Sequence, residues 1–265
     1  VTLYGLDVEE MHSIWEAEAV YIDNVGFEEA RTKDGEYQKK IKEVRTLHFL
    51  LKPTEECTGD IEKLPPLKQL NKSVFLLPGR LSLHSYEEAI ASRWSDAFVG
   101  NPLAVRTIGK LRSLVEEYAK IYGIDYVLFD TSPSIGILNK IIISTTDALL
   151  IPCNADMFSL YGIRNIGSAL ANWKKQFEVL KSLLSDEKKK NIPQDFVRFI
   201  GYTIYNTRKI TKIPPLNELD IAQSNFHYAR MIPETILSYI HEDIRQGLTN
   251  EQAKTRVGGN SIIHS

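Results

Sequence analysis

Residues 125 to 136 constrain the fold more than any other stretch. They read Asp-Tyr-Val-Leu-Phe-Asp-Thr-Ser-Pro-Ser-Ile-Gly, a short apolar run that meets a single carboxylate and then a turn. An unbroken run from Tyr126 to Phe129 suits a strand covered on both faces, as in a parallel sheet, better than a half-exposed one. Asp130 then falls at the carboxyl end of that strand, where open α/β sheets place their ligands. Ser132 is a good N-cap and Pro133 suits the first helical position, so a helix is expected to begin close to the acid. Asp130 has two readings. It either ends a strand, or it holds Mg²⁺ through water beside a transferring phosphate.

The surrounding pattern extends this unit. Val105, Ile108, Leu111, Leu114, Val115 and Tyr118 recur at helical spacing from the break at Gly100-Asn101-Pro102 up to Gly123. After the turn, Ile135 to Ile143 predict an apolar helix and Ala148 to Ile151 a buried strand stopped by Pro152. Strand, helix and strand in this order form a βαβ unit with parallel strands. From Ser159, a stripe of Ile163, Ile166, Leu170, Trp173, Phe177, Leu180 and Leu184 predicts a long sheet-covering helix followed by a solvated Lys188-Lys189-Lys190 terminus. Phe196 to Tyr205 predict a further strand ending in Asn206-Thr207-Arg208, and Pro214-Pro215 a helix start. Tyr228 to Ile232 predict a last short strand ending at Pro233, then a closing helix with Ile236, Ile240, Ile244 and Leu248 on one face. The expected class is α/β: three layers, with a mostly parallel sheet and helices on both faces.

The amino-terminal part is less informative. Residues 7 to 31 are acidic with a helical pattern, and residues 32 to 46, with Lys39, Lys40, Lys42 and Arg45, read as a solvated loop or helix face. Pro53, Gly59, Pro65 and Pro66 mark an irregular connection over residues 52 to 72. Val74 to Leu77 predict a short strand ended by Pro78-Gly79, and a helix comes next through Tyr86, Ala89, Ile90 and Trp94. With 265 residues, 43% hydrophobic, 25% charged and a net charge of −2, one large domain is expected, without a global pull toward nucleic acid or anionic membrane. Two distant cysteines, Cys57 and Cys153, give neither a disulfide framework nor a metal site, and a cytoplasmic location is expected. No apolar run reaches the roughly 20 residues of a membrane span.

Several chemistries fail on the residues themselves. A phosphate-binding loop needs glycines whose N–H groups cradle oxygens, then a lysine and a hydroxyl. Gly109-Lys110 has Ala104 at the first glycine position and Leu111 where the hydroxyl belongs, and falls within a helix. Ser132-Pro133-Ser134-Ile135-Gly136 approaches a nucleophile elbow, with His227 or His241 as distant bases, yet Ser132 stands where a glycine is needed and Asp130 crowds the site. Arg208, Lys209 and Lys212 form a small basic group beside Tyr205, readable as a phosphate contact or as a solvated loop.

Taken together, "DYVLFDTSPSIG" and "DALLIPCNADMFSLYGIRNI" resemble the ParA family of partitioning ATPases, within the deviant Walker-A class that includes MinD. "FLLPGRLSLHSYEEAIA", "IGYTIYNTR" and "ARMIPETI" add weaker matches in the same order, covering about residues 74 to 240. The resemblance implies a P-loop NTPase-like ATPase that uses ATP and Mg²⁺, forms a homodimer in the ATP state, binds DNA non-specifically and answers to a ParB-like stimulating protein, with no membrane partner. It makes Asp130 the acid that holds Mg²⁺ through water and places Thr131 to Gly136, with Pro133, as the switch beside the γ-phosphate. Asn206 would contact adenine, Ile232 and Pro233 would belong to the loop closing over the base, and Arg208 would lie near the DNA-contacting region.

The sequence also departs from the family. The glycine-rich P-loop with its lysines, and the strand with the water-positioning acid, are not among these residues. The resemblance therefore implies a single domain, 1 to 265, that is incomplete at its N-terminus, folds poorly alone and has impaired hydrolysis. The alternative is a non-catalytic protein- or DNA-binding module on the same scaffold.

Overall fold

The structure is a computed structural model and describes residues 6–23, 26–132, 134–205, 217, 219 and 221–245. Its helices and strands run, in chain order, α1 (Val8–Ile22), α2 (Phe27–Lys33), α3 (Tyr37–Lys40), α4 (Leu47–Glu55), β1 (Lys68–Gln69), β2 (Phe75–Leu76), α5 (His84–Phe98) and α6 (Pro102–Tyr122). After these come α7 (Ile137–Thr145), β3 (Ala148–Asn154), α8 (Met157–Leu183), α9 (Asp186–Lys189), β4 (Arg198–Tyr205) and α10 (Gln223–Tyr239). The chain divides into two compact units, residues 1–130 with 184–192, and residues 131–183 with 193–265. The first division falls at the peptide bond between Asp130 and Thr131.

The first unit is mainly helical. Its core begins with an aromatic cluster, Tyr21, Phe27, Tyr37 and Phe49, whose rings meet mostly edge to face at 5.2 to 6.4 Å. That cluster explains why residues 32 to 46 are only partly solvated, with Lys39 and Lys42 exposed as expected but other positions packed. Tyr37 is buried, Lys40 lies 5.4 Å from the Tyr21 ring centre while pairing with Asp34, and Arg45 is 2% exposed with Glu43 at 2.9 Å. Lys40 and Arg45 are thus packed positions inside a partly solvated charged run, because paired cations with long apolar stems can cover rings. The expected irregular connection also starts later than predicted, since Pro53 sits inside α4. The helix is capped by Thr46, whose side chain accepts from the Phe49 N–H, and it continues to Glu55. β1 and β2 form an antiparallel pair, Lys68 opposite Leu76.

α6 matches the sequence expectation closely. Asn101 caps it, accepting from Leu103 N–H at 3.0 Å, Pro102 opens it, and Gly123 ends it in the left-handed conformation at φ 63°. Gly109, which fails as part of a phosphate loop, has a packing role: a Cβ there would lie 1.9 Å from the Asn191 carbonyl oxygen. Lys188 is not a free solvated end either, because its Nζ donates to the Gly100 carbonyl at 2.7 Å.

In the second unit β3 and β4 pair in parallel from Ala148 opposite Arg198 to Asn154 opposite Tyr205, with a bulge where Leu149 passes to Leu150. α/β character is thus present, but the expected multi-stranded sheet is reduced, among the described residues, to this parallel pair and the separate β1–β2 hairpin. Pro152 does not stop β3; it pairs opposite Thr203. A strand at a sheet edge tolerates a residue without an N–H. The predicted strand over Tyr228 to Ile232 is replaced by α10, which runs through Pro233. Ala229, Ile232, Ile236 and Ile240, spaced by three and four residues, are all buried against the core. Each such isoleucine contributes about 1.5–3 kcal/mol through burial, enough to offset the hydrogen bond that Pro233 cannot donate. α8 carries its stripe inward as predicted, with Ile163, Leu170, Trp173, Phe177 and Leu180 buried. It approaches α10 so closely that a Cβ on Gly167 would come within 2.3 Å of the Tyr239 carbonyl oxygen.

Candidate functional site

The segment after Asp130 gives the site its shape. α6 terminates at Gly123, and Ile124 N–H returns to the Ala119 carbonyl at 2.9 Å, which turns the chain out of the helix. Residues 124 to 132 then form neither helix nor strand. The buried strand expected over Tyr126 to Phe129 is not formed: Tyr126 is 87% exposed and Leu128 93% exposed. A fully buried strand requires a pairing partner for its N–H and C=O groups and cover on both faces. Among the described residues no strand lies beside this run. Asp130 and Thr131 are both exposed at its end.

The turn itself is ordered by a residue that no sequence motif singles out. Asn139, in the first turn of α7 and 5% exposed, points its side chain back along the chain. Its Nδ2 donates to the Ser132 carbonyl at 2.6 Å and to the Ser134 carbonyl at 2.8 Å, and Ser134 Oγ lies 3.1 Å away. Ser134 N–H also donates to the Ser132 carbonyl at 2.8 Å. The two amide hydrogens are thereby committed to two carbonyls of the same turn. This arrangement corrects the expected helix start. Ser132 is not the N-cap; Gly136 is, and α7 begins at Ile137. The signal available in the sequence was a single carboxamide inside the run Ile137 to Ile143, where every other residue except Lys140 is Ile or Leu.

Lys140 is the next residue on the same helix. Its ammonium bonds the Gln176 side chain of α8, and burial lowers its pKa from the usual lysine range to about 8. At the carboxyl end of β3, Asn154 N–H donates to Ser159 Oγ at 2.9 Å and Ser159 N–H to Asp156 at 2.8 Å, which fixes the start of α8. Asn225 of α10 donates to the Ala155 carbonyl at 3.0 Å. Cys153, 1% exposed, has its thiol pushed up to about 12 by burial, which keeps it an unreactive core residue.

Of the other expected site residues, Pro133, Asn206 and Arg208 lie outside the described residues, as do Lys209, Lys212 and Pro214-Pro215. Ile232 and Pro233 are placed in the middle of α10 instead of in a loop, and Ile232 is fully buried. Among the described residues the serine pair has no catalytic base beside it: Ser132 Oγ and Ser134 Oγ face each other at 3.2 Å, while His241 pairs with Asp243 and His227 meets the Tyr228 ring edge to face. No group of three or more metal-ligating side chains occurs among the described residues. An exposed single carboxylate fits a Mg²⁺ ion that keeps most of its water, but the described residues supply no phosphate cradle for a nucleotide.

No helix among the described residues is long and apolar enough to cross a membrane. In fold, the chain is similar to protein DIP2308 of Corynebacterium diphtheriae, with a TM-score of 0.57 at 18% identity, over 88% of this chain and 73% of that one. In sequence it is similar to MJECL24 of Methanocaldococcus jannaschii, an uncharacterized protein, at 22% identity over 172 residues, which is 63% of this chain. The chain spans 55% of the length of that relative. The model of the AAA domain family matches residues 30–184, a span that includes Asp130, the Asn139-bound turn, β3 and α8. The chain therefore belongs to this AAA domain family, of ParA/MinD-like P-loop ATPases.

Proposed function

We propose that residues 125 to 139 are the acid-and-switch half of a ParA-type nucleotide site, in which Asp130 holds Mg²⁺ through water and Thr131 to Gly136 respond to the γ-phosphate. The observation that carries this reading is the family match across a turn in which one buried asparagine fixes the backbone just after an exposed acid. Such a turn, tied at one end to α7, is suited to report a phosphate at the other end. The order of resemblances over residues 74 to 240 supports the finer assignment to a partitioning or positioning ATPase that pairs with a second copy, non-specific DNA and a ParB-like stimulator. Phosphoryl transfer rests on positioning and charge neutralisation. The 265-residue sequence contains no glycine-rich loop ending in lysine, so in this reading these residues supply the acid and the switch and not the phosphate cradle.

The test is equilibrium binding of ATP with and without Mg²⁺, together with phosphate release. Binding that requires Mg²⁺ and is lost in Asp130→Ala supports the reading; binding that ignores both contradicts it. A second reading has its own observation. Because Tyr126 and Leu128 are exposed and unpaired in any described sheet, the same scaffold can serve as a non-catalytic module for protein or DNA. Failure to bind ATP at all, with retained DNA or protein binding, favours it.

A further inference from the structure

A second polar cluster lies wholly within the first unit. His48 and Glu55 stand about two turns apart on α4, so their side chains share one helix face. Opposite them are Ser82, in a 3-10 turn over Leu81–Leu83, and Ser85 in the first turn of α5. Ser82 Oγ lies 2.7 Å from His48 Nδ1, and His48 Nε2 lies 3.0 Å from Glu55 Oε2. Ser85 Oγ is 3.1 Å from both His48 Nε2 and Glu55 Oε2, and 3.0 Å from the Ser82 carbonyl. A neutral imidazole with its proton on Nε2 satisfies these contacts. Nε2–H donates to Glu55, and Nδ1 accepts from the Ser82 hydroxyl.

The burial gradient runs in the direction that chemistry requires. His48 is 1% exposed and Ser82 is only half-buried, beside Leu81 at 85% exposed. Lys52 Nζ holds the other Glu55 oxygen at 2.6 Å, and Arg93 donates to the Thr54 carbonyl at 2.9 Å and to the Glu55 carbonyl, so the end of α4 that carries the carboxylate is pinned. Burial alone would raise the Glu55 pKa, but hydrogen bonds from His48 and Lys52 outweigh it and hold the carboxyl down to about 2. An ionised partner of this kind orients the ring and stabilises the imidazolium.

We propose that Ser82 is an activated nucleophile that accepts an acyl group from small activated esters, with His48 as its general base and Glu55 as the positioning residue. Ser82 Oγ bonds to the acyl carbon as its proton passes to His48 Nδ1. The ester C–O bond breaks, and the leaving alcohol takes that proton. Water can repeat the sequence to release the acid. The Leu83 N–H and His84 N–H are already bonded, to the Arg80 and Ser82 carbonyls, and neither is free to receive an oxyanion. Both acylation and deacylation therefore lack oxyanion stabilisation, and only an ester with a good leaving group acylates Ser82 faster than water releases the acyl group, so that the acyl-serine accumulates.

The experiment treats the folded chain with p-nitrophenyl acetate and, separately, with a fluorophosphonate, and maps the adducts by peptide mass spectrometry. The expected adduct is on Ser82, near one per chain. It is absent from Ser82→Ala, present in Ser85→Ala, and formed about 10²-fold more slowly in His48→Gln. In Glu55→Gln labelling slows, because the carboxylate that orients the ring is gone, and Glu55→Asp, which keeps a carboxylate, restores part of the rate. No adduct on Ser82, an adduct mapped to Ser85, or equal rates in folded and urea-unfolded wild type each overturns the proposal. Should His48→Gln fail to fold, the wild-type map and the folded-against-unfolded comparison still decide.

Discussion

Asn139 closes the turn after Asp130 by donating from one amide nitrogen to the Ser132 carbonyl at 2.6 Å and the Ser134 carbonyl at 2.8 Å. The helix that carries it thereby sets the shape of the segment that the proposed function assigns to phosphate sensing. If the turn shifts, the Asn139 side chain carries the change to α7.

Asn139→Ala removes both bonds and leaves a void at a buried position, at a cost of about 1–2 kcal/mol. A fall of a few degrees in Tm, with α-helix content retained, is the expected result of a thermal melt monitored by circular dichroism. An unchanged melting curve would show that the turn is held by something else.

Two glycines on α8 separate close packing from mere flexibility. Gly167→Ala drives a Cβ to within 2.3 Å of the Tyr239 carbonyl oxygen, whereas nothing lies within 4 Å of a Cβ at Gly162. Gly167→Ala is expected to destabilise by about 1–3 kcal/mol. Gly162→Ala is expected to stabilise by about 0.5–1 kcal/mol, since alanine loses less backbone freedom in a helix. Urea midpoints of the two variants should move in opposite directions.

Lys140 gives a pH signature. Burial lowers its pKa in the folded protein from 10.5 to about 8. Between those values the unfolded chain binds more protons at this site, so its contribution makes stability rise with pH from about 8 to 10.5 and level off above. In Lys140→Met that rise should disappear from the difference between wild-type and variant denaturation curves. A difference that is flat across this range would show that the ammonium is fully hydrated.

Glu55 titrates the other way. Its pKa is depressed to about 2 from 4.5, so the stability it adds is complete above 4.5 and is lost as pH falls toward 2. Glu55→Gln should flatten that part of the acid-unfolding curve relative to wild type.

Where local chemistry and periodicity agreed, the structure was readable from the residues. Asn101, Pro102 and Gly123 bound α6 as a cap, a first-turn proline and a left-handed glycine should, and the stripe from Ile163 to Leu180 faces the core. The errors share a cause. Pro53, Pro152 and Pro233 have the signature of breaks, yet each lies inside an element whose packing or edge position outweighs one missing N–H. At Tyr126 to Phe129 the composition is that of a buried strand, but a strand exists only with a partner, and partners are not encoded in the run itself. The candidate site was half legible. Asp130 stood out as a charge at the end of an apolar run, whereas Asn139 did not, because its role depends on the backbone folding back over it. His48, Ser82 and Glu55 are brought together by the fold and carry no local pattern at all.

The most direct test of the nucleotide assignment is equilibrium dialysis of the chain against ATP, with Mg²⁺ present or chelated, for wild type and Asp130→Ala. Wild type is expected to bind only when Mg²⁺ is present, and the variant to lose that binding. Equal binding by the two proteins, or binding indifferent to Mg²⁺, would contradict the assignment.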